Sequence, residues 1–546
     1  MRRLAALALV SLVCAQAGAC GGGDSAPQPT AESPADAAAP PVLEDAGTPI
    51  VDSGQVDTGN DAGPPPCKPS GGGPYWVEEG QPVTAKIVCK GVDYPVTIAP
   101  LPAGATFDAA TKTLTWTPGL DQAAVYLPKI TVPKTGETAI FKIGVADKFD
   151  DPANVAIVDP LTYTEEFGLP VFHLTTDPAI TDLDQKPATI KYRGHVYNGE
   201  AKYRGAASLG YPKKSFTLKF DKLDKFNEPN VPPKGFMKKR QVVLITAFDD
   251  NSYVRQRLSY EAWNRIDPSH IIVQNYSAVV ILNGQYWGMY TATDHIDGYL
   301  MEDFGLLQQG NLYKAIDHDA NFKLTRNSPV VPKAALSMGY EKQEGTPLHG
   351  QPGAYDDLIS LVDFVATSDT ATFAGGIGSR IAVKEYQDWL IVTTAIVARD
   401  SLGKNSYQYH NPAGGLWRAV PWDFNHAFGQ TWQTRRELPN LDPDAITSIN
   451  YLFTRFLNDP AFGPALKARY DAVLKKELSL ATMLAMFDAM VAEVDACARR
   501  DERKWRSRYL TYGGWASRTD FTDFDGEVAY VRQWIKDRWA WLDNKY

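Results

Sequence analysis

The sequence has little of several features that would assign it to a specialised class of protein. Its 546 residues include 5 cysteines, too few for a small protein held together by disulfides. It has no run of about 18 apolar residues, which a transmembrane helix needs. It also has no concentrated basic region of the kind that binds nucleic acid. The hydrophobic content of 44% excludes a disordered chain, so most of the sequence is able to form folded cores.

Residues 21–66 contain no lysine, no arginine and no aromatic residue. They hold eight acidic residues, which account for most of the net charge of −9, and they repeat glycine, alanine and proline. A segment of this composition cannot bury enough apolar surface to offset its chain entropy. We therefore predict a disordered linker over residues 20–68.

The N-terminal residues have the order of a secretory signal peptide, predicted here for residues 1–19. Two arginines precede an apolar run over residues 4–13, and small residues follow. The stretch Ala17-Gly18-Ala19-Cys20 resembles a bacterial lipobox, which implies cleavage before Cys20 and attachment of lipid to its thiol. We therefore expect an exported protein that is lipid-anchored to the bacterial cell envelope, in the outer membrane and periplasm or at the cell surface. Ordinary cleavage, with Cys20 a free thiol, is the alternative.

Residues 70–150 show short alternating runs separated by turns rich in proline, glycine and aspartate, which predicts a small all-β domain. The stretch 101–108, followed by 113–118, resembles the immunoglobulin-type domains of bacterial surface proteins. This resemblance implies a β-sandwich that acts as a spacer or an adhesive surface. Outside the cytoplasm Cys67 and Cys89 are expected to form a disulfide, with two free thiols as the alternative.

Residues 155–546 mix strand-like and helix-like patterns, with strands in the first half and helices in the second. This order indicates an α+β domain with two lobes. The predicted strands are Pro170–Leu174, Ala188–Tyr192, Ser215–Phe220, Gln241–Thr246 and Ala278–Leu282. The predicted helices are Tyr355–Ala366, Val383–Ala398, Pro464–Leu478, Leu480–Cys497 and Val528–Leu542.

A turn of small residues follows Arg204, and the lysine pair Lys213 and Lys214 comes shortly after it. The backbone N–H groups of such a turn are able to approach an anion, and a nearby arginine or lysine neutralises phosphate oxygens. The pattern thus makes Arg204 and this lysine pair candidate contacts to a phosphate. A plain turn between two strands, with solvated lysines, explains the same residues equally well.

Asp400 and Asn405 have the Asp-x-x-x-x-Asn spacing of a protein-kinase catalytic loop, and Asp423 with Phe424 lies where the metal-binding Asp-Phe-Gly element would follow. Phosphoryl transfer needs a carboxylate that orients the attacking hydroxyl. It also needs an amide and a second carboxylate as oxygen ligands for Mg²⁺. The residue types at these three positions match those needs.

The segment between Asp400 and Asp423 contains apparent strands around Tyr407–Tyr409 and Trp417–Val420. A hairpin of this length would return the chain and place both carboxylates at the same edge. The alternative is structural, with Asp400 capping a helix end or turn and Asp423 in a tight loop.

These pieces, collinear over about residues 155–546, resemble the spore-coat protein H (CotH) kinase family. The resemblance implies an atypical protein-kinase-like fold and transfer of phosphate from ATP to a protein, with a divalent metal such as Mg²⁺. The matching elements are Tyr203-Arg204-Gly205, Lys213-Lys214-Ser215-Phe216, Phe248-Asp249-Asp250-Asn251-Ser252 with Arg255, Leu282 to Tyr290, Asn311-Leu312-Tyr313-Lys314, and Pro421-Trp422-Asp423-Phe424-Asn425 with Phe428-Gly429.

By this resemblance Asp400 is the catalytic carboxylate, and Asn405 and Asp423 are metal ligands. Two positions depart from the family pattern. Asn425 stands where the family often has a carboxylate, and Asp294 stands near a position where it usually has glutamate.

The resemblance also makes Lys214 a candidate contact to ATP, beside Arg204. Glu261, on the helix-like run Val254–Arg265, is the candidate ion-pair partner of that lysine. An exposed helical glutamate is the alternative for Glu261.

Three functional hypotheses follow. The first is an exported lipoprotein whose kinase-like domain transfers phosphate from ATP to serine or threonine of an extracytoplasmic protein. The second is a non-catalytic structural or adhesive protein that binds an envelope partner through the same fold. The third is an enzyme that uses a nucleotide for another transfer. In each case the membrane is contacted through the lipid anchor alone and no nucleic acid is bound.

Overall fold

The structure is a computed structural model that describes residues 64–148, 158–515 and 518–546. The predicted signal peptide, Cys20, most of the predicted linker and the junction near residue 150 lie outside these ranges. Residues Gly63–Tyr546 form one compact unit. Within the described ranges, every helix is too short or too polar to cross a membrane.

Residues 64–148 are all β, as the sequence predicts. The first strand begins at Cys67, within the last two residues of the predicted linker. The strands are β1 Cys67–Ser70, β2 Tyr75–Glu78, β3 Val83–Lys86, β4 Val88–Gly91, β5 Thr97–Ala99, β6 Thr106–Asp108, β7 Thr113–Trp116, β8 Ala124–Tyr126, β9 Lys129–Thr131, β10 Thr138–Ile140 and β11 Ile143–Ala146.

These strands pair in small sheets of order β2-β11-β8, β3-β7-β6, β10-β9-β5 and β1-β4. Val83 and Ala85 alternate with exposed residues along β3 and join a core that includes Leu114 and Ile130. Cys67 and Cys89 are joined by a disulfide, which ties β1 to β4 across their antiparallel ladder.

Ion pairs connect this small β domain to the residues that follow. Lys142 Nζ lies 2.9 Å from Glu165 Oε2. The buried guanidinium of Arg500 lies 3.1 Å from Glu166 and 3.8 Å from Asp147. The small domain is therefore docked on the larger one through charged groups.

The first half of the larger domain is dominated by strands. Ten of them are described between residues 165 and 294, with one α-helix among them. They are β12 Glu165–Glu166, β13 Leu169–Thr176, β14 Lys186–Tyr192, β15 His195–Arg204, β16 Ser215–Phe220, β17 Phe226–Glu228, β18 Phe236–Lys239, β19 Gln241–Thr246, α1 Arg255–Ile266, β20 Asn275–Leu282 and β21 Gln285–Asp294.

Seven of these strands close into a barrel. The sheet order is β12-β13-β14-β15-β16-β19-β21-β20. A parallel pairing of β13 with β20 completes the ring, and β12 lies outside it, paired with β13. Alternate side chains such as Phe216, Leu218 and Leu244 fill its interior. The turn between β20 and β21 has positive φ at Asn283 and Gly284, as a two-residue hairpin requires.

The second half is mainly helical around one small sheet of order β23-β22-β24-β25. Its large apolar core joins the helices to the outer face of the barrel. The elements are α2 Gly298–Glu302, β22 Asn311–Ala315, β23 Tyr340–Glu344, α3 Asp356–Thr367, α4 Thr370–Gly376, α5 Val383–Ala395, β24 Ser406–His410, β25 Arg418–Pro421, α6 Pro443–Ile446, α7 Tyr451–Asn458, α8 Gly463–Lys475, α9 Leu480–Leu510 and α10 Phe524–Lys545.

The structure thus has a small all-β domain followed by a mixed domain with strands first and helices later. That order agrees with the α+β prediction. The kinase-like, two-lobed arrangement stays a prediction.

Candidate functional site

The hairpin of β24 and β25 brings Asn405 and Asp423 to the same edge of the small sheet. Ser406 pairs with Pro421, and the Trp422 N–H continues the ladder by donating to the Asn405 carbonyl at 2.9 Å. Asn405 and Asp423 both have φ of +57°. Asparagine and aspartate tolerate this left-handed backbone better than most residues, which fits their places at the two strand ends.

Asp400 lies in a short 3₁₀ turn after α5 and is held by its neighbours. Its Oδ2 accepts a hydrogen bond from Asn405 Nδ2 at 3.0 Å, and Lys404 Nζ lies 3.0 Å from its Oδ1. Burial alone would raise the pKa of Asp400, but the rings of His318 and His426 and the charge of Lys404 hold it well below its usual range. The carboxylate is therefore ionised at neutral pH.

Arg204, Asp400, Asn405 and Asp423 line one cavity of about 480 Å³. That volume lies within the range of about 300–1,000 Å³ typical of small-molecule sites. The structure thus brings together four of the residues that the sequence marked for phosphate transfer. We call this space the first cavity.

Asp249, just after β19, adds a buried carboxylate to the wall of the first cavity. Its Oδ2 accepts hydrogen bonds from Asn425 Nδ2 at 2.7 Å and from the Tyr211 hydroxyl at 3.2 Å. His426 Nε2 lies 3.0 Å from the same oxygen. The Asn425 amide therefore donates a hydrogen bond to Asp249, whereas a carboxylate at position 425 would repel Asp249.

The carboxylates around His426 set its protonation state. Burial alone would lower the pKa of His426, but hydrogen bonds and charges from Asp249 and Asp400 raise it to about 10. Burial raises the pKa of Asp423, and the negative charges of Asp400 and Asp249 raise it further, while His426 and Arg204 oppose them. Asp423 is thus placed where added positive charge would stabilise its ionised form.

Two cations in the first cavity lack an opposite charge in contact. Neither Arg204 nor Lys314 forms an ion pair with any residue of the described ranges, and the Nη1 of Arg204 is buried without a hydrogen-bond partner. Burial lowers the pKa of Lys314, and the nearby positive charge of Arg204 lowers it further, against the attraction of Asp423. An anionic ligand would relieve this repulsion.

Lys214 and Glu261 lie elsewhere. Lys214 Nζ donates to the carbonyls of Leu209 at 2.5 Å and Tyr211 at 3.1 Å, and it does not line the first cavity. Glu261, half-buried on α1, is within 3.5 Å of Asn275 Nδ2. The expected pairing of Glu261 with Lys214 is absent from the described residues, because the Lys214 ammonium is turned toward the backbone after β15.

Lys213 and Asp294, singled out in the sequence, are also structural. Lys213 is fully buried and pairs with Asp501 of α9, whose carboxylate also accepts from the Met289 N–H at 2.6 Å. Asp294 lies 2.8 Å from Lys239 Nζ and does not line the first cavity. These ion pairs link the barrel to α9 and to β18, and neither Lys213 nor Asp294 lines the first cavity.

Sequence reasoning did not single out Asp249, Lys314 or His426 as site residues. Asp249 and Lys314 belong to motif elements that carried the family resemblance, so a signal for them was present. His426 directly follows Asn425, and only the fold shows that it lies between two carboxylates.

The oxygen donors of the first cavity fit a bound Mg²⁺, which prefers carboxylate, amide and carbonyl oxygens. Within the described ranges no side chain donates a hydrogen bond to the Asp423 carboxylate, and Asn425 Oδ1 is buried without a partner. Another group of possible ligands, Asp267, His270 and Asp388, is already neutralised by Lys384 and Arg469.

Comparison with known proteins gives three findings. The family described as CotH kinase protein matches residues 201–542, and an Ig-domain family matches residues 73–146. The inner spore coat protein H of Bacillus subtilis (strain 168) is 24% identical over 387 residues, which are 69% of this chain and 97% of that protein. These matches confirm the resemblances that the motifs indicated for both domains.

Proposed function

The chain belongs to the CotH kinase protein family, and from this premise we propose that it transfers the γ-phosphate of ATP to serine or threonine of an extracytoplasmic protein. The observation that carries the proposal is the convergence of Asp400, Asn405 and Asp423 with the unpaired Arg204 and Lys314 on one cavity. These are the carboxylate, amide and cationic groups that phosphoryl transfer uses.

In the proposed reaction Asp400 accepts a hydrogen bond from the acceptor hydroxyl and orients its oxygen toward the γ-phosphorus. A bond forms between that oxygen and phosphorus, and the bond from phosphorus to the bridging oxygen of ADP breaks. The hydroxyl proton passes to Asp400 and then to solvent. The depressed pKa of Asp400 keeps its carboxylate ready to accept the hydrogen bond at neutral pH.

The other residues hold the nucleotide. Arg204 and Lys314 would pair with phosphate oxygens, in place of the Lys214 contact expected from the sequence. Asp423 and Asn405 would hold Mg²⁺, with Asp249 and Asn425 supplying further oxygens. When bound, the metal neutralises phosphate charge during transfer.

Incubation of the mature chain, defined as residues 20–546 without the predicted signal peptide, with Mg²⁺ and ATP tests the proposal. We use ATP labelled at either the γ- or the α-phosphate, with dephosphorylated casein as an added acceptor protein. We expect label on protein from γ-labelled ATP alone, and none after chelation of the metal. Label from the α-phosphate would instead indicate transfer of a nucleotidyl group, the third hypothesis.

The competing hypothesis is a structural or adhesive protein that binds an envelope partner through the same fold. It predicts no label from either nucleotide and no effect of Asp423→Ala on any nucleotide signal. Such an outcome, with a folded protein shown by its thermal melt, would contradict the kinase proposal.

We also propose that lipid on Cys20 anchors the protein to the cell envelope. The proposal rests on the stretch Ala17-Gly18-Ala19-Cys20 and on the acidic linker that follows it. Cys20→Ser should move the protein from the membrane pellet to the soluble fraction, because lipid is the expected attachment. Retention of the variant in the pellet after a high-salt wash would contradict the anchor.

A further inference from the structure

A second cavity of about 350 Å³ adjoins the proposed catalytic carboxylate. Asp400, His426 and Trp432 line both cavities, whereas Arg204 and Asp423 line the first alone. Asp400 therefore lies where the two cavities meet. A hydroxyl group that enters from the second cavity would reach Asp400 without displacing the residues that we assign to the nucleotide.

The turn that carries Asp400 follows a strained helix end. Helix α5 ends in a Schellman motif, in which the Ala398 N–H donates to the Thr393 carbonyl at 2.9 Å. Val397 has φ of +57° in this motif and lines the second cavity. Glycine usually occupies such a position, so a β-branched residue there is strained, and strain of this kind is concentrated at functional sites. The large core of the domain holds Val397 in place and thereby fixes the turn after it.

A loop held by helix α10 forms one wall of the second cavity. The Glu437 N–H donates to the Gly429 carbonyl at 2.9 Å and closes the loop. The Tyr530 hydroxyl donates to the same carbonyl at 2.9 Å, and Trp534 Nε1 donates to the Glu437 carbonyl at 2.8 Å. Because both ends are fixed, the side chains of the loop are positioned before a ligand binds, which lowers the entropic cost of binding.

The loop presents an aromatic and a cationic side chain to solvent. Trp432 is 55% exposed, although tryptophan is on average a well-buried residue. Arg435 is exposed and forms no ion pair with any residue of the described ranges. Tryptophan and arginine are among the side chains that are enriched at the energetic centres of protein interfaces. This pair therefore favours a protein segment as the occupant of the second cavity.

The charged groups of the second cavity that reach solvent are cations. Arg399 lies 3.2 Å from Glu437, and its side chain is 53% exposed, whereas that of Glu437 is 12% exposed. The charge of Asp400 is balanced by the ring of His426, which its raised pKa keeps protonated 3.7 Å away. Arg399 and Arg435 thus form a cationic rim, which would attract an acidic segment and repel a basic one.

We propose that the second cavity is the acceptor site and that it selects serine or threonine flanked by acidic residues. The inference rests on the proposed function and specifies its substrate class. Arg435 pairs with a carboxylate beside the acceptor, and Arg399 adds its charge to the rim. Trp432 packs against the bound segment, and the acceptor hydroxyl contacts Asp400 while the nucleotide occupies the first cavity.

The test measures transfer from Mg²⁺–ATP to two acceptor peptides by wild type, Arg435→Glu and Arg508→Glu, each as the mature chain. One peptide has a serine flanked on each side by two glutamates, within a sequence of alanine and glycine. The other has lysine in place of each glutamate. Arg508 is the matched control because it is an exposed arginine on α9 that lines neither cavity and has no ion pair within the described ranges.

We expect wild type to phosphorylate the acidic peptide with a kcat/KM about tenfold or more above that of the lysine peptide. Arg435→Glu should reduce this ratio about fivefold or more, mainly through KM, and Arg508→Glu should keep it. At saturating ATP, Trp432→Ala should raise KM for both peptides and leave their ratio unchanged, because its packing does not depend on charge.

A binding measurement without nucleotide examines the second cavity alone. The probes are the same two peptides, each labelled with fluorescein. Fluorescence anisotropy should show tighter binding of the acidic peptide to wild type. Arg435→Glu should remove that preference, and Arg508→Glu should keep it.

Failure of this inference is distinguishable from failure of the proposed function. Transfer to casein with equal kcat/KM for the two peptides, or a ratio that Arg435→Glu leaves unchanged, would overturn the inference alone. No transfer to casein or to either peptide would overturn the proposed function. In that case equal binding of the two peptides would overturn the second cavity as a site for acidic segments as well. Selective binding that is lost in Arg435→Glu would support it as such a site.

Discussion

Asp400→Asn should lower the rate of phosphate transfer about 10³-fold while Mg²⁺–ATP binding is kept. The amide no longer accepts the hydroxyl proton, but the groups assigned to the nucleotide and the metal stay in place. Asparagine is close to isosteric with aspartate and retains an oxygen toward Asn405 Nδ2. Single-turnover transfer to casein and calorimetric titration of Mg²⁺–ATP, each on the same preparation, measure the two quantities.

Asp363→Asn is the matched control for this variant. Asp363 is on α3 and does not line the first cavity, so the same chemical change should leave both quantities unaltered. A transfer rate for Asp400→Asn within tenfold of wild type would remove Asp400 from the catalytic role.

Arg255→Met should be the most destabilising of the proposed substitutions, by about 3–5 kcal/mol. Arg255 is fully buried, and its guanidinium lies 2.7 Å from Asp250 and 2.6 Å from Glu527 of α10. Removal of the cation leaves Asp250 without an ion pair within the described ranges, and it leaves Glu527 with Arg436 alone. The free energy of unfolding in urea, at neutral pH, measures this loss.

Arg265→Met is the control on the same helix. Arg265 is exposed and donates one hydrogen bond, to the Glu477 carbonyl at 3.1 Å, so its loss should cost less than about 1 kcal/mol. Equal destabilisation by the two substitutions would show that the buried ion pairs contribute little.

The difference in stability between wild type and Arg255→Met should also depend on pH. Burial would raise the pKa of Glu527, but Arg255 and Arg436 lower it to about 2 from an ordinary value of 4.5. A lowered native pKa adds stability above the unfolded pKa, and this stability is lost as the pH falls through the native pKa. The difference in free energy of unfolding between wild type and Arg255→Met should therefore become smaller as the pH falls from about 4.5 to about 2.

Much of the secondary structure could be predicted because it depends on local patterns. The strands Ser215–Phe220 and Gln241–Thr246 agree with prediction at both ends, and Val383 begins its helix as expected. The hairpin between Asp400 and Asp423 was also predictable, since two short strands with a turn between them are local in sequence.

Closure of the barrel could not be predicted in the same way. The parallel pairing of β13 with β20 joins residues 108 positions apart, and strand patterns alone do not specify which distant edges meet. The contacts of the lysines could not be predicted for a similar reason. Arg204 at the end of β15 lines the first cavity, whereas Lys213, just before β16, pairs with Asp501, and Lys214 donates to backbone carbonyls.

Calorimetric titration of Mg²⁺–ATP into the wild-type mature chain and into Asp423→Ala is the most direct test of the nucleotide site. The assignment predicts saturable binding by wild type below about 1 mM, dependent on Mg²⁺ and absent in Asp423→Ala, with both proteins folded in thermal melts. No binding by the folded wild type at about 1 mM nucleotide, or unchanged binding by Asp423→Ala, would contradict it.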